Sequence, residues 1–221
     1  MDLPTTTVPG RTFRLVPSCY PPIAAFEDVA SADDLEAAME LEGWTNDRLV
    51  AERLARLPRA QWAFGRPNAS IVMAAFLHAP EAGTRFACGQ LGAWYAGTKV
   101  RTAIAEVSHH LRREAAFRRR REMRLQYRTY VARLAGRYVD IRGLRAERAE
   151  IYRPDDYAAS QAFGEGIRAA GGPGILYDSV RLSGGTNVVA YLLGNIRDVA
   201  QAAHYEVTAP VVGKVVARTL P

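Results

Sequence analysis

The stretch Gly83–His110, GTRFACGQLGAWYAGTKVRTAIAEVSHH, decides how the rest of the chain is read. Ala93–Ala96 is predicted as a strand and the residues from about Val100 as a helix. Thr98 is the expected N-cap, and Val100, Ala103, Ile104, Val107 and Leu111 recur at helical spacing and define a buried face. Arg85, Tyr95 and Glu106 follow one another at steps of ten and eleven residues, so a cation, a ring and a carboxylate fall on consecutive elements. Glu106 lies off the buried face, beside Thr102, His109 and His110. A carboxylate there is either ordinary helix surface or a catalytic group beneath a cleft.

Upstream, residues 1–10 hold two prolines and three threonines and read as a loose leader. Thr12-Phe13-Arg14-Leu15-Val16 is predicted as a strand, halted by Pro17 and the Pro21-Pro22 pair. Arg14 in its middle is either an edge residue with a solvated head or a buried anion site, which the planar guanidinium fork suits. Ser31-Ala32-Asp33-Asp34 opens a helix, with a capping serine and acids in the first turn. Glu36, Glu40 and Glu42 are expected in solvent. A second helical stretch, Asp47–Leu57, ends at Pro58, and Ser70–Leu77 is an apolar run that fits strand or buried helix.

Downstream, Arg112–Arg124 carries seven arginines against Glu114 and Glu122. Four of them, Arg118–Arg121, are consecutive and point around all sides of a helix. The run therefore reads as a solvated helix end or loop, with nucleic-acid or acidic-partner contact as the alternative. Leu125–Leu134 and Tyr138–Ile141 are read as a hairpin around Gly136. Arg153-Pro154-Asp155-Asp156 is expected to open a helix through Ala170, closed by Gly171-Gly172. A second hairpin pairs Ile175–Arg181 with Asn187–Leu193 across Ser183-Gly184-Gly185, placing Ser179 near its middle and Asn187 after its turn. The tail HYEVTAPVVGKVVARTL adds one or two edge strands.

The 221 residues contain no internal repeat, are 48% hydrophobic and 24% charged, and fit one α+β domain with many short strands. A net charge of +6 predicts attraction to anions. Cys19 and Cys88 are the only cysteines, and no CxxC pair or spaced His/Cys cluster occurs, so reduced thiols and no structural metal are expected. No signal-like apolar core or membrane-length run is present, and a cytoplasmic location is the expectation. There is no GxSxG elbow, GxxxxGK[ST] loop or HExxH. His109-His110 point about 100° apart on a helix, which suits shared metal ligation poorly.

The segments FRLVPSCYPPIAAFE, GRPNASIVMAAF, GTRF…GAWYAGTKVRTAIAEVSHH and DDYAASQAFGEGIRAAGGPGILYDSVRLSGGTNVVAY closely resemble the RES-domain family. That family is named for its Arg, Glu and Ser positions, and the resemblance runs in family order from about Arg11 to Tyr191. It implies a domain over 11–221 with an ADP-ribosyltransferase-like fold of split, mostly antiparallel sheets flanked by helices. It implies a toxin of a toxin–antitoxin pair that consumes NAD+ by phosphorolysis or hydrolysis, or that transfers ADP-ribose to a protein. NAD+ is then substrate, inorganic phosphate the co-substrate, and no prosthetic group is required. The partner implied is a cognate antitoxin with a helix-turn-helix part. No membrane or direct nucleic-acid contact is expected, and edge strands permit self-association. A non-catalytic basic nucleic-acid-binding module is the remaining alternative.

Carried over by position, the family's arginines fall on Arg14 and Arg85, its tyrosine on Tyr95, its glutamate on Glu106 and its serine on Ser179, with Asn187 as a further substrate contact. Cys19 stands where relatives often show arginine. Nicotinamide leaves as a neutral molecule, so no general acid is needed. Positive charge growing on the ribose calls for an anion such as Glu106. Arg14 and Arg85 would clamp the pyrophosphate, Tyr95 would stack on nicotinamide or ribose, and Ser179 would position the substrate amide or Glu106.

Overall fold

The computed structural model describes residues 3–20, 24, 26–41 and 48–221. The Pro21-Pro22 turn, Glu42 and the helix start at Asp47 lie outside them. The strands among the described residues are β1 (Thr5–Thr6), β2 (Thr12–Pro17), β3 (Trp94–Gly97), β4 (Glu122–Leu134), β5 (Tyr138–Asp140), β6 (Gly174–Asp178), β7 (Thr186–Ala190), β8 (Ile196–Pro210) and β9 (Val216–Leu220). They form one sheet in the order β1-β5-β6-β7-β3-β2-β4-β8-β9, antiparallel except where β5 meets β6. The helices are α1 (Ala32–Leu41), α2 (Arg48–Ala55), α3 (Ala69–Leu77), α4 (Val100–Phe117) and α5 (Ala158–Ala169).

The sheet narrows in its middle. β2 and β3 share a single register pair, Phe13 with Gly97, whereas β2 runs six pairs along β4. The α+β, mostly antiparallel architecture is as expected, but it is built as one continuous sheet with a narrow joint rather than as split sheets. Gly97 also pairs with Asn187 of β7, so three strands meet at that residue. A Cβ there would lie 2.9 Å from both the Ala103 nitrogen and the Lys99 oxygen. Glycine lets α4 start directly on the strand and cross the joint, packing on β2, β4 and β8 on one side and β3 and β7 on the other.

Strand alternation sorts the core into two faces. Trp94, Ala96, Val188 and Ala190 pack with α1, α2 and α3 through Leu35, Met39, Leu54, Val72 and Phe76. On the opposite face, Leu15, Val207 and Ala209 lie under α4. Next to them Ile175, Tyr177, Val189 and Tyr191 lie under α5 and Ile151-Tyr152. Ser70–Leu77 is helical: buried on nearly every side, it shows no amphipathic period by which sequence could decide.

Several expectations are corrected. Within the expected leader, residues 5–8 are tied down rather than loose: Thr5 pairs with Val139, and Val8 is in the core. Thr98 is not the N-cap of α4. Its hydroxyl donates to the Thr186 carbonyl at 3.2 Å, and the extended Lys99 precedes the helix. β4 and β5 form no hairpin, because Gly136 at φ +101° sends the chain across the molecule and β5 pairs with β1 and β6. Arg153–Asp156 is not helical, since α5 begins only at Ala158. The arginine run forms the end of α4, an exposed turn and the start of β4. The tail contributes β9 at the edge and the long β8 beside it.

Candidate functional site

Glu106 is partly buried on α4, where it faces the residues that flank the β6–β7 turn. Its Oε1 accepts hydrogen bonds from the Ser179 hydroxyl at 2.7 Å and the Asn187 amide at 2.6 Å. Both donors are buried, at 2% and 3% exposure, so their geometry is fixed by the fold. Oε2 has no protein donor among the described residues. One oxygen is thus anchored and the other is available to a ligand.

Ser179 is the first residue after β6. Its Oγ accepts from the backbone N–H groups of Arg181 (3.1 Å) and Leu182 (3.0 Å), which leaves the hydroxyl proton for Glu106. Its own N–H donates to the Gly185 carbonyl and its carbonyl accepts from Arg145. A Cβ at Gly185 would come within 3.1 Å of the Ser179 Cβ and the Thr102 Cγ2, so a larger residue there would press on the serine. Ser179 holds Glu106, one of the two roles expected of it. Asn187 reaches the same oxygen from β7.

Tyr95 lies in the neighbouring core. Its hydroxyl meets the Thr84 hydroxyl at 2.8 Å and accepts the Phe86 N–H at 2.9 Å, which docks the Thr84–Ala87 turn onto β3. Burial pushes the phenol up to about 12, against the smaller opposing effect of Thr84 and Phe86, so it stays protonated at neutral pH. The turn places Phe86 edge-on to Tyr177, with centroids 4.7 Å apart. Tyr177 pairs with Asn187 across β6 and β7.

The two arginines are placed differently from the clamp expected of them. Arg85 is only 8% exposed. It donates to the carbonyls of Ile151 (3.3 Å), Arg153 (2.7 Å) and Pro154 (3.2 Å) and stacks on Tyr157 at 4.6 Å. It straps the segment before α5 against the site, because carbonyls that lack a helical or sheet partner need buried donors. Arg14 alternates with Phe13 and Leu15, which lie under α4, and its guanidinium fills the gap where β2 and β3 part. There it donates to the Tyr95 carbonyl at 3.2 Å and lies over the Trp94 ring, while its Nε is buried without a partner. Burial lowers its pKa to about 10, and it remains a cation at neutral pH. Among the described residues, no hydrogen bond or ion pair joins Arg14 to Glu106, Ser179 or Asn187.

Arg181 and His109 were not singled out as site residues by sequence reasoning. Arg181 follows Ser179 by two positions, and its Nη2 donates to the Pro154 carbonyl at 2.5 Å, making it the second anchor of the strap. His109 Nε2 lies 3.9 Å from Asp155 on that strap. Burial first, then Arg181 and His110, lower the His109 pKa to about 4, so the imidazole is neutral at pH 7. The Ser-Val-Arg spacing was legible, but nothing local said that the arginine would reach a loop 27 residues away in sequence.

A separate cavity of about 310 Å³, lined by Leu49, Glu52, Arg53, Arg56, Glu81, Gly89 and Gln90, shares no residue with this cluster. No helix among the described residues is long and apolar enough to cross a membrane.

One α+β sheet thus carries, at its joint, a carboxylate held by a serine and an asparagine. The RES domain, as a family sequence model, matches residues 53–209, and the chain belongs to the RES-domain family. The match contains Arg85, Tyr95, Glu106, Ser179 and Asn187 and begins after Arg14. The chain is similar to the uncharacterized protein y4oC of Sinorhizobium fredii, at 34% identity over 140 residues, 59% of this chain and 56% of that one. It therefore spans little more than half the length of this curated relative. A chain of the crystal structure of the M. tuberculosis MbcT–MbcA toxin–antitoxin complex is similar at 15% identity and TM-score 0.42, over 55% of this chain and 73% of that one.

Proposed function

We propose that this chain is a toxin of a toxin–antitoxin pair that cleaves the nicotinamide–ribose bond of NAD+. The observation that carries this reading is Glu106, a carboxylate with one oxygen anchored by two buried neutral donors and the other without a protein donor. In the reaction, the C1′–N bond breaks with its electron pair going to nicotinamide, which leaves neutral. An acceptor oxygen, from phosphate or water, bonds C1′ and releases its proton to solvent. Glu106 stabilises the cationic ribose between these events and holds its hydroxyls. Ser179 and Asn187 orient Glu106, Tyr95 sets the wall, and Arg85 with Arg181 keeps the strap in place. Arg14, held by the Tyr95 carbonyl and the Trp94 ring, braces the joint where β2 and β3 part. A cognate antitoxin with a helix-turn-helix part would silence the enzyme by covering Glu106.

The test is NAD+ consumption by purified, antitoxin-free protein with and without inorganic phosphate, with products identified by mass spectrometry. ADP-ribose phosphate made by wild type, and slowed at least about 100-fold in Glu106→Gln, is the expected result. Free ADP-ribose would assign hydrolysis instead. Intact NAD+ with folded wild-type protein would overturn the reading, and label from NAD+ appearing on protein in extract would move it to ADP-ribosyl transfer.

A further inference from the structure

We propose that Arg113 and Arg181 form a phosphate-binding subsite beside Glu106, a role that the sequence had given to Arg85 and Arg14. The proposal rests on Glu106 being the reacting carboxylate. It starts from how the buried arginines are used. Arg85 has its guanidinium turned onto three carbonyls, and Arg14 is wedged between Trp94 and the Tyr95 carbonyl. An anion reaching Arg85 would have to displace the carbonyls of Ile151, Arg153 and Pro154 from its guanidinium.

Arg113 is free to do the work. It is exposed and makes no hydrogen bond or ion pair among the described residues. Glu106, His110 and Arg113 stand at i, i+4 and i+7 and share one stripe of α4. Seven residues are about 10.5 Å of helix, and side chains on a helix lean toward its N-terminus, so the Arg113 side chain leans back toward Glu106.

Arg181 approaches the same stripe from another element. Its backbone N–H holds Ser179 Oγ, and its Nη2 is spent on Pro154, but Nε and Nη1 have no protein partner among the described residues. Asp155 lies 3.5 Å from Arg181 and 3.9 Å from His109, which sets the Arg181 guanidinium beside the stretch of α4 that runs from Glu106 to Arg113. The nearby acids are Glu106, which acts on His110, and Asp155, 3.5 Å from Arg181 and 72% exposed. Two guanidiniums, one of them beside a solvated carboxylate, suit a ligand with several anionic oxygens, which each fork can take in pairs. The chemistry fits the pyrophosphate of a dinucleotide or free inorganic phosphate.

ADP-ribose and inorganic phosphate, titrated separately by calorimetry into wild type, Arg113→Ala, Arg113→Lys and Arg181→Ala, distinguish these sources. NAD+ kinetics accompany the titrations. Arg113→Ala carries the test, because its side chain touches nothing whose loss would unfold the protein. A loss of at least about fivefold in ADP-ribose affinity, with KM for NAD+ raised and kcat kept, assigns the site to the dinucleotide. The same loss for phosphate alone assigns it to the acceptor. Partial rescue by Arg113→Lys supports either assignment. Wild-type affinities for both ligands in Arg113→Ala and Arg181→Ala would overturn the subsite while leaving the proposed reaction intact. Wild type that binds neither ligand and leaves NAD+ whole would overturn both.

Discussion

The two halves of the sheet meet at one residue pair and are built to different rules. In the half formed by β1, β5, β6, β7 and β3, β6 and β7 are buried along almost their whole length, with α3 on one face and α5 and the strap on the other. In the half formed by β2, β4, β8 and β9, α4 covers the strands near the joint. Beyond it, Ala200–Ala203 of β8 and most of β9 stand in solvent. The doubly covered half holds Ser179 and Asn187, and α4, lying across the joint, brings Glu106 to them. The two donors to Glu106 therefore sit where packing locks their rotamers. The outer half is left as a ribbon with a free edge.

The comparison breaks most readily at Ser179. Ser179→Ala removes a donor to Glu106 and strands the N–H groups of Arg181 and Leu182. It should lower stability by roughly 1–3 kcal/mol and cut NAD+ turnover at least tenfold. Chemical denaturation beside the turnover assay checks both, and an unchanged denaturation midpoint would show that this turn is not the tightly satisfied part of the fold described above.

A smaller effect is expected where the strap meets α4. In the unfolded chain a histidine titrates near 6.5, whereas His109 in the fold titrates near 4. Between those values the unfolded state holds the proton and the folded state does not. The contribution of His109 is therefore fully present above about pH 6.5 and is lost as pH falls toward 4. Asp140 and Asp156, whose pKa values are lowered by Arg142 and by the Ala158 N–H respectively, add losses of the same sign at lower pH. Melting temperatures between pH 7 and pH 5 should fall less steeply in His109→Gln than in wild type, and parallel curves would remove His109 from the account.

The smallest effect belongs to the ribbon. Val216→Thr on β9, at 46% exposure, should change stability by no more than about 0.5 kcal/mol and leave NAD+ turnover unaltered. A large loss in either would mean that the outer half is coupled to the site through α4.

Local signals made much of this legible. Alternation marked β4, short runs bounded by prolines or glycine turns marked β2, β6 and β7, and helical spacing marked α4 and its buried face. Ser31 caps α1 as expected, accepting the Asp34 N–H at 3.1 Å. The types and order of Arg85, Tyr95, Glu106 and Ser179 were visible because they belong to long motifs, and the family match spans all four. Such features depend on backbone geometry within a few residues, and the chain itself writes them.

Tertiary structure alone decided which strands pair and which donor meets which acceptor. The alternation in β4 and β5 said strand twice but could not say that the two would sit in different halves of the sheet. An arginine at position 85 or 14 reads the same whether it awaits an anion or satisfies a carbonyl. Only the route of the backbone set Ile151, Arg153 and Pro154 against Arg85, parted β2 from β3 around Arg14, and left Arg113 unpaired. Burial fixes the outcome: a carbonyl removed from water must find a donor, and the nearest guanidinium in space need not be near in sequence.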